Sequence, residues 1–146
     1  VRTVVEPHGV IPLLIQAADP VLQFLREVHS SGSVEIVWHS TWRAAANTDL
    51  CPALGLPAFG VSDAPEWDTR DAHAWWKLPA VNRAAESTRP LIWTDDDISG
   101  FEAATLRHAA LIGRLRERPK TLLISPDRAA GLTPDDLARI SHFVAS

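Results

Sequence analysis

Apolar residues recur along this chain in two distinct patterns. Val21, Phe24, Leu25 and Val28 follow the i, i+3, i+4, i+7 spacing of one helical face. Asp19-Pro20 just before them predicts an N-cap with proline at the first helical position, and the SSGS run at 30–33 stops the helix. Leu78, Val81 and Ala85 predict a helix over 77–86, where Pro79 is tolerated in the first turn. A longer stripe, Phe101, Ala104, His108, Leu111, Ile112 and Leu115, predicts a single helix over 101–115. Thr133-Pro134-Asp135-Asp136 is a capped helix start, with Leu137, Ile140 and Val144 on its inner face.

The second pattern is the short apolar run without alternation. Residues 34–38 (VEIVW), 91–94 (LIWT) and 121–124 (TLLI) read as buried strands, and 58–61 as a further short one. A short helix is expected through Ala44, Ala45 and Ala46, broken by Pro52, Gly55 and Pro57. The opening residues 1–18 hold Pro7, Gly9 and Pro12 among β-branched residues and predict extended segments or a hairpin. Residues 62–74 read as a loop. Helices alternating with non-alternating strands predict an α/β sandwich with a mostly parallel sheet. Ligands of such sheets bind beyond the carboxyl ends of the strands. The polar residues following 34–38 and 91–94 are therefore the candidates.

Composition narrows the function. A chain of 146 residues is one domain's worth, read here as a core over 19–146 with 1–18 as an extended cover. Lys plus Arg is 14 and Asp plus Glu is 18, so 14 − 18 gives −4, which argues against a nucleic-acid binder working by phosphate attraction. One cysteine excludes an internal disulfide framework and fits a reducing compartment. No apolar run reaches the roughly 18 residues of a membrane span, and no signal-peptide pattern opens the chain. A cytoplasmic protein without membrane or nucleic-acid partners is expected. There is no methionine, which points to a start at a non-ATG codon or to a segment of a longer chain. Of six Trp, four (Trp38, Trp42, Trp76 and Trp93) lie beside the candidate polar residues.

Asp95-Asp96-Asp97 is the sharpest chemical signal. Carboxylates crowded at one strand end repel each other unless a cation sits among them. Oxygen ligands without His or Cys favour Mg²⁺ over zinc. The competing reading is that the acids cap the next helix, whose dipole favours negative charge. Ser40 and Thr41 offer hydroxyls to an anion, or cap a helix. Lys77 opens a helix, where its charge suits a bound anion better than the helix dipole. His39 adjoins the Ser40 cluster as a candidate site wall. His108, on an apolar face, reads as a satisfied core residue. Cys51, before a proline in a turn, reads as packing rather than a nucleophile.

In order, VEIVWHSTW (34–42), WWK (75–77), LIWTDDDI (91–98) and LLISPDRAAGLTPDDL (122–137) resemble the haloacid dehalogenase-like superfamily of phosphohydrolases, in particular its small actinobacterial and phage members. The resemblance covers the chain from about residue 19 onward. It implies a three-layer Rossmann-like sandwich and a Mg²⁺-dependent phosphoric monoester hydrolase acting on a small phosphorylated molecule. Ser40, with Thr41 as the alternative, would bind the phosphoryl group; Lys77 would stabilise the charged intermediate; Asp95 and Asp96 would hold Mg²⁺; Asp97 would support or cap. All four principal residues are expected in one pocket.

The family's first motif, Asp-x-Asp at the end of a central first strand, has no counterpart before Asp19. That strand would lie between 34–38 and 91–94. It is either supplied upstream or replaced by Val1–Val5 (VRTVV) without the nucleophile. Unpaired strand edges would favour self-association into a homo-oligomer. The expected function is thus a phosphohydrolase if an upstream Asp-x-Asp exists, with no appreciable turnover by the 146 residues alone. The alternative is a non-catalytic phosphate-, metal- or partner-binding module.

Overall fold

A computed structural model of the protein describes residues 1–7, 12–62 and 76–146. Its contacts divide the chain into two compact units, Val1–Ala80 and Val81–Ser146. Helices and short, mostly parallel strand pairs make up both, so the α/β class is as expected. The loop expected at 62–74 lies outside the described residues apart from Ser62.

In the first unit, β1 (Arg2–Val5) and β2 (Leu13–Gln16) pair antiparallel, as the opening residues suggested. Alternation puts Val5 in the interior, while the cross-strand pair Val4 and Leu14 faces outward. Helix α1 (Asp19–Ser31) follows. Asp19 is not its cap. Ala18 occupies that position in extended backbone with no side-chain bond, and Asp19 lies in the first turn, where a carboxylate favours the helix dipole. Gly32 ends the helix at φ 66°, a left-handed conformation that costs glycine little.

The residue that α1 buries most is Leu22, which packs with Cys51, Leu54, Leu56 and Phe59. Strand β3 (Val37–Trp38) is shorter than the expected 34–38 and pairs parallel with β4 (Gly60–Val61). The helix expected through 44–46 instead begins as a π-helical segment, Ala46–Leu50, and runs without a break into α2 (Cys51–Leu54). Cys51 is therefore helical rather than in a turn. It is buried, as a packing role requires, and the Trp38 indole N–H points at its sulfur at 3.4 Å. Asn47 locks this core. Its Nδ2 donates to the Phe59 carbonyl at 2.7 Å, and its Oδ1 accepts from the Phe59 N–H at 3.0 Å.

Helix α3 (Lys77–Ala85) spans the boundary between the units. In the second unit, β5 (Leu91–Thr94) and β6 (Thr121–Ile124) occupy the expected residues and pair parallel, with Trp93 opposite Leu123. The helical stripe between them is not one helix. It breaks at Thr105, in extended backbone, into α4 (Ile98–Ala104) and α5 (Leu106–Glu117). Thr105 caps α5 by accepting from the His108 N–H at 3.0 Å, and a residue in extended backbone cannot continue α4.

Helices α5 and α6 (Pro134–Ala145) both lie against β6. Ile98, Ile112, Leu115, Ile124 and Ile140 are buried. The expected capping box on α6 is present, Thr133 and Asp136 each bonding the other's backbone N–H. Arg118 ties the approach to both strands: it donates to the carbonyls of Ala85 and Arg89 and to the Thr121 hydroxyl.

Residues 1–5 do not fill a central strand. Among the described residues β1 pairs only with β2, and the sheets are three separate pairs. The partner of β1 is the adjacent β2, joined antiparallel over Arg2–Val5 and Leu13–Gln16, and not β3 or β5. No helix among the described residues is long and apolar enough to cross a membrane.

Candidate functional site

Parallel pairing places polar side chains at the carboxyl ends of strands in both units, where sheet ligands bind. In the second unit, β5 runs straight into Asp95, Asp96 and Asp97. The Asp95 N–H continues the ladder by donating to the Ile124 carbonyl at 3.1 Å, which fixes the first carboxylate at the strand end. One carboxylate oxygen from each of the three lies within 4.8 Å of the other two. Asp95 is 8% exposed, a buried carboxylate in the second unit, whereas Asp96 is exposed.

The capping alternative accounts for part of this arrangement. Asp95 Oδ1 accepts from the Asp97 N–H at 3.0 Å, closing the turn before α4. Asp97 holds the cap position of α4, but its side chain makes no capping bond. Its carboxylate instead meets the Arg128 guanidinium, which also reaches Asp96 at 3.2 Å. Arg128 stands on the turn after β6, where Asp127 Oδ1 accepts from the N–H groups of Ala129 and Ala130. Those two bonds, that from Ala130 first, hold the Asp127 carboxyl below its ordinary range. Ser99 donates from its N–H and hydroxyl to the Ser125 hydroxyl, and the two serines line the same cleft as Asp96, Asp97, Asp127 and Arg128.

The donor set fits a hard divalent cation. It is all oxygen, it is charged, and its atoms are already gathered within a few ångström. Arg128 is the competing cation, holding two of the three carboxylates.

In the first unit, Ser40 follows β3 in a tight turn. Its hydroxyl accepts from the Trp42 N–H at 3.3 Å and its carbonyl from the Arg43 N–H at 3.0 Å. Thr41 is exposed on that turn. Arg43 sits at φ 51°, in left-handed backbone that a non-glycine residue adopts only at a cost. Lys77 is the first residue of α3, as expected, and is half-buried. Its carbonyl lies 2.9 Å from Nε2 of His39, the residue beside Ser40. The Lys77 backbone is thus tied to His39, the sequence neighbour of Ser40, while Asp95 and Asp96 belong to the other unit.

Three contributors escaped the sequence reading. Arg128 lies in LLISPDRAAGLTPDDL, and its signal is a basic residue four positions past a strand end. Ser125 lies in the same motif. Ser62, at the end of β4, bonds His39, and the signal was that pairing 34–38 with 58–61 in parallel sets the two strand ends side by side. His108 departs from a satisfied core histidine. Its ring packs edge-on to Phe101 at 5.5 Å, but its Nδ1 has no hydrogen-bond partner among the described residues.

Set against protein-family models, curated proteins and solved structures, the chain matches none of them.

Proposed function

We propose that the chain is a cytoplasmic, haloacid dehalogenase-like domain that binds a divalent cation, Mg²⁺ in the cell, through Asp95, Asp96 and Asp97. The observation that carries this reading is the gathering of three carboxylates at the end of one strand, with Asp95 buried among them. Burying a carboxylate beside two others is costly, and a divalent cation offsets that cost.

The fold belonging to this reading is a three-layer Rossmann-like sandwich with a mostly parallel sheet. It is supported by the parallel pairing of β3 with β4 and of β5 with β6. Ser40 would donate a hydrogen bond to a phosphoryl oxygen, and Lys77 would place a positive charge beside it. In the second unit, a bound Mg²⁺ would neutralise the three gathered carboxylates. The nucleophile of a phosphohydrolase is not assigned to any of these residues, so 1–146 alone is expected to turn over p-nitrophenyl phosphate no faster than buffer.

The Arg128 contacts favour a second reading, a module that binds a phosphate, metal or partner without turnover. A guanidinium on two of the three acids neutralises the cluster without any metal. Thermal unfolding with and without Mg²⁺ tests the metal site. A ligand of the folded state raises the midpoint, by about 2.7 kcal/mol at a hundred times its Kd. The midpoint is expected to rise in the native protein and to stay flat in Asp95→Asn. A flat response in both would remove the metal from the account.

A further inference from the structure

We propose that Ser62 and His39 form a nucleophile–base pair able to cleave a small activated carboxylic ester. This site lies within the first unit and is independent of the Asp95–Asp97 cluster. His39 stands at the carboxyl end of β3 and Ser62 at that of β4. The register pairing Trp38 with Val61, carried one residue further, brings the two side chains together. The Ser62 hydroxyl is 2.6 Å from His39 Nδ1, within reach for proton transfer.

The other ring nitrogen, Nε2, is 2.9 Å from the Lys77 carbonyl oxygen. A carbonyl can only accept, so in the neutral ring Nε2 carries the proton and Nδ1 presents its lone pair to the Ser62 O–H. Nucleophile, base and orienting group therefore stand in sequence, which is the arrangement that activates a serine. Trp76 packs edge-on against the imidazole, ring centres 4.9 Å apart, and further fixes its plane. Both His39 and Ser62 are partly exposed to solvent.

In the reaction, Ser62 Oγ bonds to the ester carbonyl carbon while its proton passes to Nδ1. The bond to the leaving alcohol breaks, and the alcohol takes that proton. Water then attacks the acyl-serine, giving one proton to Nδ1, which returns it to Oγ as the carboxylic acid departs. The orienting group is a neutral carbonyl, which stabilises the imidazolium less than a carboxylate would. That limits the substrates to esters with good leaving groups.

The test is labelling with a fluorophosphonate probe, with the modified peptide located by mass spectrometry. An adduct on Ser62 is expected, formed about 10²-fold more slowly in His39→Gln. No adduct on Ser62, or an equal rate in His39→Gln, would overturn the proposal. A second arm uses Ser62→Cys, whose thiol should react with iodoacetamide at least about tenfold faster than the same thiol in the Ser62→Cys, His39→Gln double variant. Equal rates there would also overturn it.

Discussion

The two units finish their parallel strands with opposite kinds of polar chemistry. In the first, His39, Ser62 and the Lys77 carbonyl form a hydrogen-bonded chain in which each group meets a complementary partner. In the second, three carboxylates crowd at the end of β5, and an arginine from the turn after β6 reaches two of them. The same topological position is thus proposed for proton transfer in one unit and for cation binding in the other. The difference lies in which side chains follow the strand, since both pairs are short and parallel.

The largest effects should come from the packing that holds each strand end in place. Phe59→Ala in the first unit is expected to cost about 3–5 kcal/mol, and Ile112→Ala in the second about 2–5 kcal/mol, in denaturant unfolding. Phe59 is 7% exposed and Ile112 fully buried, so both leave cavities. A loss below 1 kcal/mol in either would show that its core does not support the site beside it.

Arg118→Ala comes next. The guanidinium bonds the carbonyls of Ala85, Ser87 and Arg89 together with the Thr121 hydroxyl, joining the segment before β5 to that before β6. Hydrogen bonds from a charged donor suggest a loss of about 1.5–3 kcal/mol. The first unit carries a smaller charged tie, Arg26 donating to the carbonyls of Leu54 and Gly55, and Arg118→Lys should rescue little because an ammonium lacks the guanidinium's fork of donors.

Thr133→Ala should cost about 1 kcal/mol through the lost cap. Bonds from Thr133, its backbone N–H first and its hydroxyl second, hold the Asp136 carboxyl below its ordinary 3.8. A lowered folded-state pKa adds stability that is present above the unfolded value and lost as pH falls through the folded one. Unfolding midpoints followed from neutral pH to below 3.8 should therefore fall less steeply in Thr133→Ala than in the native protein.

The smallest effect on stability is expected from Arg128→Ala. Its side chain is 74% exposed, so the ion pairs are screened by solvent and their loss should change stability by at most about 1 kcal/mol. Metal affinity should rise in the same variant, because a competing cation is gone. Unchanged affinity would mean that Arg128 and a metal do not share the carboxylates.

The legibility of the sequence followed the same division. Runs such as LIWT and TLLI became strands at the expected residues, because an uninterrupted apolar run ending in polar residues has few other uses. The Thr133 box was legible for the same reason: its signal is local. Thr105 was not, since a polar residue within an apolar helical stripe is compatible with continuous helix until its hydroxyl is seen to cap α5. The continuous helical path from Ala46 to Leu54 is not legible locally, because Asn47 within it bonds the Phe59 backbone twelve residues away. Of the candidate site, Asp95 to Asp97 could be read directly from composition at a strand end. Ser62 and Arg128 could not, because each matters only through a partner on another strand's end.

Direct titration of the native protein and Asp95→Asn with Mn²⁺, followed by electron paramagnetic resonance, tests the proposed metal site most sharply. The native protein should take up one Mn²⁺ that Mg²⁺ displaces, and Asp95→Asn should bind at least about tenfold more weakly. Equal binding by the two proteins, or none by the native one, would contradict the account.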